Sequence, residues 1–150
     1  MTIDITLPDG TIRNYESPVT GYEIAESIGP RLLKDSICIE INNNFKDLSY
    51  EITDNNTVRI VTKKDLDALN ILRHSSAHIL AQAVLNLYPD AQYGVGPSIE
   101  NGFYYDFLFS KPLKESDLLD IELEMKEIVK SSQNFVRSEI TKKDATKLFK

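Results

Sequence analysis

Two histidines, His74 and His78, are the residues of this 150-residue chain whose type and spacing could do chemistry together. They stand four apart, which on a helix sets both imidazoles on one face about one turn from each other. Two imidazoles converging on one point can offer ring nitrogens to a metal or share a water molecule. A neutral ring can also accept a proton from that water near neutral pH. Ser75, Ser76 and Ala77 are small and leave room around the pair. The zinc-protease helix motif is excluded, because it needs Glu directly after the first histidine and position 75 is Ser. No complete metal site is visible. Two nitrogens are half a tetrahedron, and Cys38, the only cysteine, lies in a different region. Ile71, Ala81 and Leu85 share the stripe, so the pair is expected on or beside an apolar face. Spacing alone leaves both a core role and half of a hydrolytic or metal site open.

The element that must carry the histidines is a long helix. Lys63-Lys64-Asp65 reads as a boundary, with Asp65 able to cap a helix running from Leu66 to Tyr88 and stopped by Pro89. Leu66, Leu69, Leu72, Ala77, Leu80, Val84 and Leu87 spread over a wide arc, which implies burial against more than one partner. Two strands are expected next, Ala91 to Val95 and Phe103 to Phe109, joined by a loop from Gly96 to Gly102. Ser116 marks a second amphipathic helix through Leu118, Leu119, Ile121, Met125 and Ile128, with its Glu/Lys side toward solvent. Phe135 to Ile140 fits a strand, and Thr141 with Asp144 caps a last helix running to Phe149. The chain ends without a terminating signal, which suggests a fragment.

The first sixty residues have a different texture. Thr2 to Leu7 alternates apolar and polar side chains, as a half-buried strand does, and Asp9-Gly10 is a hairpin signal before Thr11 to Tyr15. Thr20 and Glu23 have capping-box spacing ahead of Ile24, Ala25 and Ile28, a short helix that Gly29-Pro30 stops. Ile37, Ile39 and Ile41 alternate again, Asn42 to Asn44 reads as a turn, and Thr57 to Val61 as a closing strand. Strand, strand, helix, further strands is the order of a β-grasp, ubiquitin-like fold. The whole is α+β, with a domain over 1–62 and a second, incomplete one over 63–150. Cys38, embedded in a strand pattern, reads as a packing residue.

Composition narrows the classes further. The chain is 41% hydrophobic and 27% charged, the mix of a folded protein. No apolar run reaches the roughly 18–20 residues of a membrane span, and the opening MTIDITLPDG has no signal-peptide character. A single cysteine precludes an internal disulfide and suits a reducing, cytoplasmic setting. Seventeen basic residues face twenty-three acidic ones, a net of −6. Residues 1–62 hold five basic and ten acidic side chains, and residues 63–150 twelve and thirteen. Neither half is a basic module that would hold nucleic acid by its own charge. Only residues 131–150, with five basic and two acidic, lean the other way.

Several stretches together resemble threonyl-tRNA synthetases of the bacterial type. They are Ile5 to Gly10 (ITLPDG), Arg73 to His78 (RHSSAH) and Tyr93 to Asp106 (YGVGPSIENGFYYD), in that order. The first is similar to that family's N-terminal TGS domain, a β-grasp module, and the later ones to its editing domain. The resemblance implies a second site that hydrolyses seryl-tRNA made in error on threonine tRNA. It makes His74 and His78 the catalytic half of that site present here. It assigns Tyr105 to the editing pocket and the loop containing Gly96 and Asn101 to its wall. A Cys-xxx-His motif, a lysine and an aspartate that complete such a site in the family are not in this sequence. ATP, magnesium and zinc belong, on the same resemblance, to an aminoacylation domain also absent from it. The 150 residues alone are expected neither to aminoacylate nor to edit. The family's homodimer forms through absent domains, so this segment is expected to be a monomer. An RNA- or partner-binding TGS module without catalysis is the alternative.

Overall fold

In the computed structural model the described residues are 1–133, 136 and 138–148. Alternation in β1 (Thr2–Thr6) turns Ile3 and Ile5 into the core and leaves Thr2 and Asp4 outside. Asp9 accepts from the Thr11 amide at 2.9 Å, Gly10 takes φ +83°, and the chain reverses into β2 (Ile12–Glu16). β3 (Val19–Thr20) leads into α1 (Gly21–Ile28), whose capping box is complete: the Glu23 amide donates to Thr20 Oγ1 and the Thr20 amide to the Glu23 carboxylate. Gly29-Pro30 does end α1, but Pro30 then opens α2 (Pro30–Asp35), since a proline at the first helical position gives up no needed hydrogen bond. β4 (Ser36–Ile41) turns at Asn42 and Asn43, both with positive φ, into β5 (Asn44–Lys46), so Asn44 belongs to the strand. β6 (Glu51–Ile52) pairs with β3, and β7 (Asn56–Thr62) closes the sheet.

That sheet runs β2-β1-β7-β4-β5, with β1 and β7 parallel and the other neighbours antiparallel. Its mixed order around a parallel central pair is the β-grasp arrangement. One face packs α1 through Ile24 onto Ile3, Ile5, Ile39, Ile41 and Val58. Gly21 is buried against it, and a Cβ there would meet Ile39 Cγ2 at 2.6 Å and the Leu48 carbonyl at 3.1 Å. A bulge between Ser36 and Cys38 breaks the simple alternation expected of β4. Cys38, opposite Val61 and next to the inward Ile39, faces the other side of the sheet, where it is buried with Ala68 and where the bulge also brings Ile37. Burial raises its thiol pKa to about 11.

Ala68 belongs to α3 (Leu66–Leu87), 22 residues long and the carrier of both histidines. The Asp65 carboxylate does not reach forward as the expected cap. It turns back to accept from the Thr62 amide at 2.7 Å and the Thr62 hydroxyl at 2.8 Å. No helix among the described residues is long and apolar enough to cross a membrane.

Packing divides the described chain into two units, Met1–Ala77 with Gly96–Tyr104, and His78–Val95 with Tyr105–Lys150. The second unit pairs β8 (Gln92–Tyr93) with β11 (Phe107–Leu108), while β9 (Ser98–Ile99) and β10 (Gly102–Phe103) form a hairpin in the first. The single strand expected over Phe103 to Phe109 is thus two strands, parted at Tyr104–Asp106, and the expected loop contains one of their partners. α4 (Glu115–Lys130) buries Ile121 and Ile128 against Ala83 and Val84, with Met125 beside them. It starts earlier than Ser116 suggested, because the Lys114 amide donates to the Asp117 carboxylate at 2.7 Å. Leu118 and Leu119 are exposed. α5 (Lys142–Leu148) has the expected cap, with the Asp144 amide donating to Thr141 Oγ1. Phe135, within the expected strand, and Phe149, at the expected helix end, lie outside the described residues.

Two outcomes follow from the first unit. Gly21→Ala drives a methyl group into Ile39 and should lower stability by about 1–3 kcal/mol, measured by urea unfolding; an unchanged midpoint would contradict the contact. The second concerns acid. Hydrogen bonds from the Thr62 amide and hydroxyl hold the Asp65 carboxyl below its ordinary range, and Lys63 does the same for Asp35. A depressed carboxyl pKa contributes stability that is whole above the unfolded value of about 3.9 and lost as pH falls through the lower folded value. The unfolding midpoint should therefore hold steady above pH ~5 and decline below pH ~4, and Asp65→Asn should make that decline shallower. An equally steep acid limb in the variant would show that Asp65 is not one of its sources.

Candidate functional site

The position of His74 begins with Arg59 on β7. Its guanidinium donates to Glu40 on the paired strand β4 at 2.5 Å, to Asp67 at 2.7 Å and to Asp65 at 3.4 Å. Those last two carboxylates flank the start of α3, so one cation ties two strands to the helix entrance. Ala68 and Ile71 then pack the first turns of α3 on Cys38 and Val61. His74 follows one turn beyond Ile71. It is exposed, and it lines an open, mainly apolar recess of about 310 Å³ with Phe45, Asp67, Asn70, Ile71 and Ser75. His78, in the second unit, is exposed as well, between the buried Ala77 and Ala81. The apolar stripe is therefore buried chiefly at its alanines, and the histidines stand out from it. Leu66, Leu69 and Leu72 are also exposed, at 92%, 49% and 40%, so the broad burial expected of this helix is not met over its first two turns.

Gly96 and Asn101 fall in the excursion that returns to the first unit. Gly96 is half-buried ahead of β9, and Asn101 is exposed in the Glu100-Asn101 turn of the β9–β10 hairpin. In the second unit the Gly94 amide donates to the Asp106 carbonyl at 2.8 Å and the Asp106 amide to the Val95 carbonyl at 3.1 Å. Tyr105 is half-buried and stacks on Phe107, ring centroids 4.9 Å apart. The first unit thus brings together His74, Gly96 and Asn101 on one packed body, while His78 and Tyr105 belong to the other.

One residue absent from the sequence-based site set holds part of this assembly. Arg73 Nη1 donates to the Glu100 carbonyl at 2.5 Å and the Ile99 carbonyl at 3.3 Å, at the tip of the β9–β10 hairpin. A signal for it was present. The helix neighbours three and four residues away are Leu69, Asn70, Ser76 and Ala77, none a carboxylate, so the guanidinium had to find acceptors elsewhere.

Among the described residues no group of three or more His, Cys, Asp or Glu side chains could hold a metal ion. Larger recesses lie in the second unit, about 380 Å³ by Tyr88 and Phe109 and about 430 Å³ by Ile79 and Ile128, but no histidine or cysteine lines either. Chemistry, rather than volume, selects α3.

The model of the TGS domain family matches residues 3–62. Curated relatives match much more of the chain. It is 46% identical over 145 residues to the threonine–tRNA ligase of Gluconacetobacter diazotrophicus, covering 97% of this chain and 23% of the relative. Against the Rhodospirillum rubrum ligase it is 50% identical over 135 residues, 90% and 21% of the two chains. Against that of Ralstonia nicotianae it is 47% identical over 147 residues, 98% and 23%. The chain thus spans less than a quarter of the length of these relatives. The TGS domain model thus accounts for the first unit's sheet, and along nearly its whole length the chain is similar to a part of these threonine–tRNA ligases.

Proposed function

We propose that this segment serves a threonine–tRNA ligase, an enzyme that joins threonine to its tRNA at the expense of ATP, and that it contributes tRNA contact and hydrolytic removal of serine. The observation that carries the proposal is identity of 46–50% to such ligases over 90–98% of the chain. Physical need supports the editing part. Serine lacks one methyl group of threonine, and an apolar pocket discriminates such a difference by only about 1–3 kcal/mol. A second site that hydrolyses the smaller product supplies the missing fidelity.

In that hydrolysis a water oxygen bonds to the seryl carbonyl carbon while the ester bond to the ribose oxygen breaks. One water proton ends on the ribose hydroxyl, and free serine and tRNA leave. His74 and His78 are the residues we assign to this step, either taking the proton from the water or orienting a water that substrate groups also hold. Exposure of both rings suits a substrate as large as a tRNA end. Gly96, Asn101 and Tyr105 are assigned to the pocket around the seryl group. We take residues 63–150 as the opening part of the editing domain, and a cytoplasmic setting goes with this reading. ATP, magnesium and zinc go, on this reading, with the aminoacylation chemistry of the complete ligase. The acidic balance of residues 1–62 means that any tRNA contact by the TGS domain rests on local groups rather than on net charge.

In a complete ligase carrying this segment, His74→Ala or His78→Ala should slow seryl-tRNA deacylation by about 10²–10⁴-fold while threonine activation persists. Deacylation at the original rate in both variants would remove the histidines from the reaction.

A further inference from the structure

We infer that Arg73 is a positioning residue, clasping the Ser98–Phe103 hairpin to α3 one residue before His74 and so fixing the wall of the deacylation site. The inference rests on the editing reading above for its functional half, and on geometry alone for its structural half.

The hairpin needs such a clasp. β9 and β10 contribute two residues each, paired Ile99 with Gly102 and Ser98 with Phe103. A hairpin that short is marginal by itself. Ile99, Glu100 and Asn101 are exposed, and of the larger side chains only Phe103 is half-buried, so apolar contact secures one strand of the hairpin and not its turn. Arg73 Nη1 meets the carbonyls of Ile99 and Glu100 at the mouth of the turn, where the strand ladder ends. These are charge-assisted bonds from a guanidinium. The stem of Arg73 leaves the same helical turn that presents His74, which is itself fixed to the sheet through Ile71 and Asp67. Arg73, adjacent in sequence to the histidine, thus resists a displacement of the hairpin turn.

An arginine beside a nucleic-acid site would ordinarily be assigned to phosphate. Here the donor atom is already directed at two carbonyls of its own chain. The two roles differ in what they control. A phosphate contact governs binding and its salt dependence. A positioning contact governs the rate once substrate is bound.

Arg73→Met keeps the apolar stem and removes the donors; Arg73→Lys restores one cationic donor. In the 150-residue chain, hydrogen exchange read over Ser98–Phe103 should speed up about tenfold or more in Arg73→Met, with β1 and β7 unchanged. In the complete ligase, Arg73→Met should lower kcat for seryl-tRNA deacylation by about tenfold or more, leave KM within about twofold, and spare threonine activation. Arg73→Lys should recover part of the lost kcat. Unchanged exchange would overturn the clasp. Faster exchange with unaltered kcat would overturn the positioning role, as would an effect confined to KM and abolished by high salt, the mark of a phosphate contact. His74→Ala run in parallel separates the two levels. If it too leaves deacylation intact, the editing reading has failed, and the exchange result still decides the clasp.

Discussion

Arg59 is the constraint on which the placement of the candidate site depends. Its strand β7 lies in the middle of the sheet, parallel to β1 on one side and antiparallel to β4 on the other. From there one guanidinium satisfies Glu40, Asp65 and Asp67. Each contact alone, half in solvent, would contribute little. Together they act as a network, and three carboxylates crowded at one place would repel without the cation among them. Arg59 is correspondingly held more firmly protonated, chiefly by Asp67 and Glu40. The apolar contact beneath, Ala68 and Ile71 on Cys38 and Val61, supplies the attraction, and the ion network sets the direction. Helix α3 therefore leaves the sheet in a defined orientation, and every residue it carries in the first unit inherits that orientation, His74 among them.

The sheet can do this because it is packed on both faces. Toward α1 the residues are large and β-branched, and the approach is so close that only glycine fits at position 21. Toward α3 they are smaller, with Cys38 and Val61 meeting an alanine. Adjacent residues of a strand face opposite sides, so Cys38 and Ile39 serve one face each while both stay buried, and the bulge before Cys38 brings Ile37 to the Cys38 side. A buried, protonated thiol is at home in such a layer. Its presence there is a matter of volume, which agrees with its reading from the sequence as a packing residue.

Local signals were legible in the sequence and long-range ones were not. The Thr20–Glu23 capping box, the Asp9-Gly10 turn, the Asn42-Asn43 turn and the Thr141–Asp144 cap are each decided within four residues, and each is where the residue types place it. Pro30 misled because proline both ends one helix and suits the start of the next. Asp65 misled because its best partners, the Thr62 amide and hydroxyl, lie behind it rather than ahead. β3 and β6 consist of two residues each, and β9 and β10 likewise; strands of that length exist only through their partners, which periodicity does not contain. The exposure of His74 and His78 belongs to the same class. Helical spacing fixes which residues share a stripe, but which part of that stripe is covered depends on the width of the neighbours, and here the coverage stops at the alanines.

The candidate site shows the same division between local and distant causes. Its imidazoles come from a helix pattern, whereas its surroundings come from residues 20 to 30 positions later that return to the first unit as Gly96–Tyr104. A chain segment that leaves one packed body, pairs briefly, and enters another has little enthalpy of its own to hold a shape. It needs either a wide apolar face or a few directed bonds. With Ile99 and Asn101 exposed and Phe103 half-buried, the apolar face is narrow at the turn, and Arg73 adds directed bonds there, to backbone carbonyls rather than to side chains. That choice has a chemical consequence. Backbone acceptors leave the side chains of Glu100 and Asn101 uncommitted to the clasp, and a hairpin held this way can vary its side chains while its position is held by atoms that every sequence provides.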